Sequence, residues 1–212
     1  MKKIVLLLFT VIIYNVMFAS NNDTIFLKKA FNNKITLYNA LNNVNQAKSI
    51  SNENISTEVL SDILWAANGI NSIGNNTSYS SFQFNNIDIY VATPKGCYIY
   101  IPQKHCIVLV TNNDIREYIS NQVQIKESPI NLIYISNTKK MTGMFVNSND
   151  QKTLYTSLEV GTMVQNVNLY CAGSNLNVFV SGVINRLLIL NNLELNRDEY
   201  FVIINQAIGV NK

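Results

Sequence analysis

The chain has 212 residues (23.9 kDa), is 48% hydrophobic and 14% charged, and carries 16 Lys+Arg against 13 Asp+Glu. That length suits one domain with a sizeable core and excludes two large ones. With only three arginines (Arg116, Arg186, Arg197), a polyanion-binding surface built on guanidinium forks is excluded, and no nucleic acid partner is expected. Aromatic residues at 10% and a mean hydropathy of +0.09 argue for a packed fold despite 34 asparagines.

Lys2 and Lys3 precede an almost unbroken apolar run from Ile4 to Ile13, followed by Asn15, Ala19 and Ser20. This is the pattern of a Sec-type secretory signal over residues 1–20 and is shorter than the roughly 20 apolar residues of a membrane span. Met17 stands where a small residue is wanted if cleavage follows Ala19, so an uncleaved membrane anchor is the alternative. Removal of the segment takes away two lysines and no acid, leaving a nearly neutral periplasmic or extracellular body: a polar lead over 21–34, then one domain over 35–212.

Leu37, Leu41 and Val44 fall at helical spacing. Ser56 can cap a second helix, in which Val59, Leu60, Ile63, Leu64 and Ala67 line one face before Asn68-Gly69 stops it. The Asn-, Ser- and Thr-rich stretch from Asn71 to Asn86 reads as a loop free to turn and to offer backbone N–H groups. Ile87 to Ala92 reads as a strand, Pro94-Lys95-Gly96 as a turn, and Cys97 to Val110 as a hairpin around Gln103-Lys104 that puts Cys106 opposite Ile101. A short helix near Asp114 to Asn121 leads to Ile130 to Ser136, an interior strand by its mostly apolar run. The longest helical signal is Leu154 to Ser174, with Leu158, Gly161, Val164 or Gln165, and Asn168 or Leu169 at three-to-four spacing. Gly161 costs about 1 kcal/mol relative to Ala there, so close approach of another backbone or a ligand is its expected compensation. A strand at Asn177 to Val180, a helix at Ile184 to Leu193 and a strand at Tyr200 to Ile208 close the chain. This order is an α+β fold, a mostly antiparallel central sheet flanked by helices with one long central helix, and not a Rossmann alternation.

Cys97, Cys106 and Cys171 are too few for a stapled scaffold, and the hairpin register keeps Cys97 away from Cys106, so buried free thiols are expected. His105 is the single histidine, which excludes multi-histidine metal centres. No H-E-x-x-H, G-x-S-x-G, P-loop or G-x-G-x-x-G pattern occurs. Trp65 reads as core and His105 as structural.

The stretch Leu60-Ser-Asp-Ile-Leu-Trp-Ala-Ala-Asn-Gly-Ile-Asn71 resembles the nitroreductase superfamily, in particular its SagB-type dehydrogenase branch. Further matches follow in order: Asn86-Ile-Asp-Ile-Tyr-Val-Ala92, then Gly96-Cys-Tyr-Ile-Tyr100 with His105, then Gly161-Thr-Met-Val-Gln-Asn-Val-Asn-Leu169, Leu176 to Gly182, and Ile208-Gly-Val-Asn-Lys212. The resemblance implies a homodimer with FMN in a cleft between subunits. It also implies NAD(P)H as donor, a small organic electron acceptor, and ping-pong hydride transfer in which the cofactor does the redox chemistry. No acid–base side chain is obligatory. The cofactor-binding residues it implies are Lys48, Asn76, Ser80, Ser81, Gln83, Gln165, Ser181, Gly182 and Lys212.

Several aligned positions depart from the family pattern. Its R-x-S-x-R, which grips the phosphate, is Val44, Gln46 and Lys48 here, and its R-T-A-P-S-A loop is Asn76-Thr-Ser-Tyr-Ser-Ser81. The N-x-Q that follows is Gln83-Phe-Asn85. Each lost charge-assisted phosphate contact is worth on the order of 1.5–3 kcal/mol, so two or three losses weaken binding by roughly 10²–10⁵-fold. Two readings stay open: an exported FMN-dependent oxidoreductase, with Lys48 and Lys212 as cations, or a non-catalytic exported protein that keeps the fold without flavin. Gln165 and Asn166 suit the cleft and an ordinary helix surface equally.

Overall fold

The computed structural model describes residues 23–28, 36–80, 84–143 and 148–210. The amino-terminal signal and most of the polar lead, with Ser81, Gln83 and Lys212, lie outside the described residues. The strands are β1 (Thr24–Phe26), β2 (Ile87–Thr93), β3 (Gly96–Ile101), β4 (Cys106–Thr111), β5 (Ile130–Asn137), β6 (Leu176–Ser181) and β7 (Tyr200–Val210). They form one antiparallel sheet in the order β1-β4-β3-β2-β5-β7-β6. The helices are α1 (Leu37–Asn43), α2 (Thr57–Asn68), α3 (Arg116–Ile119), α4 (Val123–Glu127), α5 (Asn149–Gly173) and α6 (Arg186–Asn192). The expected α+β architecture with one long helix is the one found. Among the described residues, no helix is long and apolar enough to cross a membrane.

The centre of the sheet explains the layering. β5 is buried along both faces from Ile130 to Ser136. Leu132 and Tyr134 point into a core with α2 and α5, whereas Ile133 and Ile135 point into a second core with α3, α4 and α6. β2 divides in the same way, with Ile87, Ile89 and Val91 on the first side and Tyr90 and Ala92 on the second. Alternate side chains leave opposite faces of a strand, so a run with apolar residues on both faces requires cover on both.

Local signals set most boundaries. Ser56 Oγ accepts from Val59 N–H at 3.3 Å and starts α2, and Gly69 N–H closes it on Trp65 O at 2.8 Å. In the hairpin, Ile101 stands opposite Cys106 as expected, but the turn is longer than Gln103-Lys104. It runs from Pro102 to His105, with His105 at φ 45°. Arg186 Nε and Nη2 donate to Val202 O (2.8 Å) and Ile203 O (3.2 Å), where β7 shifts register against β5.

Three features differ from the sequence reading. β1 and α4 carry no strong periodic signal, and the sheet includes β1 through its pairing with β4. α1 buries Ala40 and leaves Leu37 and Leu41 exposed. α5 begins at Asn149 and is turned away from the expected face: its inward line is Thr156, Glu159, Val160, Met163, Val167, Tyr170 and Cys171, while Leu154, Leu158 and Gly161 face outward. Two polar residues occupy the inward line because they hydrogen-bond beneath it, and that reverses the pattern a hydrophobicity count detects. Nothing lies within 4 Å of where a Gly161 Cβ would stand, so this chain alone supplies no compensating contact.

All three cysteines are buried and free. Burial pushes the Cys97 thiol up to about 12 and raises those of Cys106 and Cys171. The folded chain is therefore expected to react slowly with Ellman's reagent at pH 8, with three thiol equivalents appearing only on denaturation; rapid native reaction of Cys97 or Cys171 contradicts the packing. Gly209 has no room for a side chain, since an added Cβ falls on Ile50 and lies 2.9 Å from Pro129 Cδ and from Ser51 O. Gly209→Ala is expected to lose about 1–3 kcal/mol in urea denaturation.

Candidate functional site

The Asn-rich loop after α2 is fixed residue by residue. Asn71 Oδ1 accepts from the N–H groups of Ile73 and Asn75, both at 3.0 Å, and turns the chain back. On the returning stretch, Asn76 Nδ2 and Ser78 Oγ both donate to Oδ1 of buried Asn68, at 2.7 and 2.6 Å. Thr77 Oγ1 donates to Trp65 O at 2.8 Å. α5 holds the other side with one side chain per turn. Asn166 Nδ2 donates to Thr77 O (3.1 Å), Thr162 Oγ1 accepts from Tyr79 N–H (3.2 Å), and Glu159 Oε1 accepts from Ser80 Oγ (2.8 Å). Positions 159, 162 and 166 share one face of a helix. The composition predicts a loop with free backbone donors; the structure shows a clamped one whose side chains are largely committed.

A second wall forms where the segment after α1 runs along β6. Ala47 N–H donates to Val178 O (2.7 Å) and Ser51 N–H to Val210 O (3.0 Å). The Gln46 amide pairs with Val180 in both directions, donating to its O at 2.8 Å and accepting from its N–H at 3.2 Å. In this way a side chain completes the edge strand as a backbone would. Lys48 projects from this segment, exposed, and its O accepts from Gln124 Nε2 at 2.9 Å. Ser181 Oγ is buried, donating to Gln122 Oε1 at 2.6 Å and accepting from Val183 N–H at 3.1 Å. Gly182 is exposed, and beyond its immediate chain neighbours nothing lies within 4 Å of where a Cβ would stand on it. A hollow of about 570 Å³ opens next to it between Ser120–Gln122 and Val183–Leu187.

The residues assigned from the sequence thus fall into two sets. Lys48, Ser181 and Gly182 lie along β6 and α4, while Asn76 and Ser80 lie between α2 and α5. Gln165 is exposed on α5, with its Oε1 3.5 Å from Asn168 Nδ2. Ser81, Gln83 and Lys212 are outside the described residues. The sequence reading passed over Glu159, a carboxylate only 2% exposed. Its position on α5 one hydrogen bond from a site serine is the signal, and that signal exists only in three dimensions.

Two other features are settled by geometry. Trp65 is half-buried, not fully core. Its indole N–H donates to Ile70 O (3.1 Å), and it lines a hollow of about 510 Å³ with Leu37, Thr77, Asn166 and Tyr170. His105 is structural. Ser61 Oγ donates to Lys28 O (2.6 Å), so at 2.8 Å it accepts from His105 Nε2–H, and Tyr100 O–H then donates to Nδ1 at 2.8 Å. Burial raises the Tyr100 phenol well above its usual value and keeps it a donor.

A flavin mononucleotide makes two separate demands, a flat ring needing open space and amide-like partners, and a near-dianionic phosphate needing cations or converging donors. The open backbone at Gly182, beside its hollow, fits the first. The second does not fit. Asn76, Ser80 and Ser181 direct their donors to protein partners, Val44 and Gln46 bring no charge, and the Glu159 carboxylate stands behind Ser80. Lys48 is the one cation of the expected set among the described residues.

No family model matches the chain. A protein of Methanocaldococcus jannaschii named as a nitroreductase is 31% identical over 121 residues, covering 52% of this chain and 60% of that protein's length. A crystal structure from Ralstonia eutropha JMP134, described as a nitroreductase, superposes with a TM-score of 0.81 at 27% identity, covering 90% of each chain. One from Staphylococcus epidermidis, described as an NAD(P)H:FMN oxidoreductase, superposes with a TM-score of 0.64 at 14% identity, covering 87% of this chain and 90% of that one.

The loop clamp is testable without any ligand. Asn68→Ala removes the shared acceptor of Asn76 and Ser78 and is expected to cost about 1–3 kcal/mol. Hydrogen exchange should accelerate at the amides of residues 76–80 while β5 stays protected; unchanged exchange in the loop means that Asn68 does not hold it.

Proposed function

We propose that this chain, a nitroreductase-superfamily relative by sequence likeness and by fold, is a flavin-dependent oxidoreductase that works as a homodimer. In this reading it moves electrons from NAD(P)H to a small organic acceptor in a ping-pong order, and it is an exported protein of the SagB-type branch. The observation that carries the reading is the pairing of the ordered sequence motifs with a fold in which one of them ends at Gly182 and two others, through Asn68 and through Thr162 and Asn166, hold the Asn76–Ser80 loop. The flavin supplies the redox chemistry; the chain supplies a floor at Gly182, a rigid loop and exclusion of water. The M. jannaschii protein is matched over 60% of its length, so its activity enters here only as part of the proposal. Export rests on the sequence of residues 1–20 alone.

Dimerisation is supported by the outward line of α5, where Leu154 (63% exposed), Leu158 (47%) and open Gly161 form an apolar stripe ending at Gln165. A stripe of this kind on the longest helix suits a second copy. In the proposed assembly the two wall segments face one ligand across the subunit boundary.

A second reading, a fold kept without flavin, is favoured by one observation: the hydroxyls and amides of the Asn76–Ser80 loop are turned to protein partners. One experiment separates the two. Purified chain is incubated with FMN or riboflavin at about 100 μM and passed through gel filtration. Co-elution of either flavin, followed by NAD(P)H oxidation with a quinone or nitroaromatic acceptor, supports the oxidoreductase; no bound flavin of either kind selects the second reading. Leu158→Glu is expected to shift the dimer peak to monomer and to release the flavin, whereas retention of both removes α5 from the interface.

A further inference from the structure

Building on the flavin reading above, we infer that the flavin this site selects is the one without a phosphate, riboflavin, and that Glu159 and the scarcity of cations among the described residues enforce the choice. The charges decide the matter. Arg116 is closed on Asp114, with guanidinium–carboxylate contacts of 2.6 to 3.1 Å, and also donates to Ser128 O. Arg186 borders the hollow beside Gly182, but its guanidinium is held by the carbonyls of Val202 and Ile203 and lies over the Phe201 ring at 5.8 Å. Arg197 sits in the turn before β7, beside the Glu199 that pairs with Lys139, and Lys140 pairs with Asp88. Two arginines are thus committed to the scaffold and the third lies in the turn before β7, and Lys48 stands at its wall without an arginine partnering it.

The neutral donors give the same answer. A phosphate can be held without cations if several N–H and O–H groups converge on it. Here Ser80 Oγ donates to Glu159, Asn76 Nδ2 to Asn68, and Ser181 Oγ to Gln122, at 2.8, 2.7 and 2.6 Å. To reach a phosphate, Ser80 would have to abandon a buried carboxylate. That carboxylate would then face the phosphate's two negative charges in a medium where like charges repel strongly. Gln46, aligned with the serine of the family's R-x-S-x-R, does not turn to a phosphate but uses both ends of its amide to complete the β6 edge. An uncharged ring and its hydroxylated side chain meet none of these penalties. Apolar contact is the larger need of the ring, and the open Gly182 backbone, beside a hollow lined by Val183, Ile184 and Leu187, offers it.

The test uses the full chain and two probes, riboflavin and FMN, each titrated by quenching of flavin fluorescence and by calorimetry. At pH 7.5 riboflavin is expected to bind at least tenfold tighter than FMN. The second phosphate ionisation falls near pH 6, so at pH 5 the gap narrows as FMN loses a charge. Glu159→Gln keeps an acceptor for Ser80 and removes the charge. It should tighten FMN at least fivefold and leave riboflavin within about twofold. Val44→Arg, at a half-buried position, should act in the same direction without touching the core. FMN binding equal to or tighter than riboflavin overturns the inference and leaves the flavin reading standing. Failure of both flavins to bind overturns the flavin reading and the inference with it. Riboflavin preference that neither Glu159→Gln nor Val44→Arg alters overturns the assignment of the choice to these charges.

Discussion

Burial of β5 on both faces is the constraint from which the rest of the architecture follows. A strand with apolar side chains on both sides cannot sit at the surface of a two-layer fold, so it requires helices above and below. α2 and α5 cover one side; α3, α4 and α6 cover the other. Each wall of the candidate site belongs to one of these layers: the Asn76–Ser80 loop is gripped by α2 and α5, and Ser181 is tied to the Gln122 that precedes α4. The site is therefore positioned by core packing, although most of its residues lie in loops and strand ends.

A second constraint is the scarcity of charged groups. With three arginines in 212 residues, each one's location has consequences, and two are committed to the scaffold: Arg116 to Asp114, Arg186 to carbonyls at the register shift in β7. Buried polar groups follow the same rule of mutual satisfaction. Tyr134 O–H donates to Gln206 Oε1 at 2.6 Å, and Gln206 Nε2 in turn reaches Asn168 Oδ1 at 2.9 Å, joining the central strand to α5. Asparagines do much of this work, since a short amide can accept and donate at once. Asn68 anchors a loop, Asn131 anchors the segment before β5, and Asn166 fastens Thr77. The high asparagine content that argues for disorder in a composition table is here a set of tertiary fasteners.

How legible each element was depends on where its information resides. α2 was readable because Ser56, the apolar face and Asn68-Gly69 are all local, and the β3–β4 register followed from strand alternation that puts Cys106 opposite Ile101. The orientation of α5 was not readable, because its inward line contains Thr156 and Glu159 and its outward line contains Leu154 and Leu158. Hydrophobic periodicity can only report which side chains avoid water, and this helix buries polar groups that have partners. β1 was missed because three residues cannot establish a period; its pairing with β4 is a long-range event. Trp65 looked like core and is half-buried, since the turn at Asn71–Asn75 leaves a hollow beside it that no local pattern encodes.

For the site, the sequence named Ser181 and Gly182 through an ordered motif and Asn76 and Ser80 through a divergent loop aligned between motifs, and it exposed the missing arginines through their substitution by Val44 and Asn76. The direction in which the donors point lay beyond it, because a hydroxyl's partner is chosen by neighbours distant in the chain: Glu159 for Ser80, Asn68 for Asn76, Gln122 for Ser181. By itself the sequence determined the α+β class, most element boundaries, the interior status of β5, the unpaired cysteines and the scarcity of cations, all of which are properties of composition or of residues close together along the chain. Only the tertiary structure decided which face of α5 is buried, that the Asn-rich loop is clamped, and that a buried carboxylate stands behind it, because hydrogen bonding and desolvation are settled between segments that folding alone brings within about 3 Å of one another.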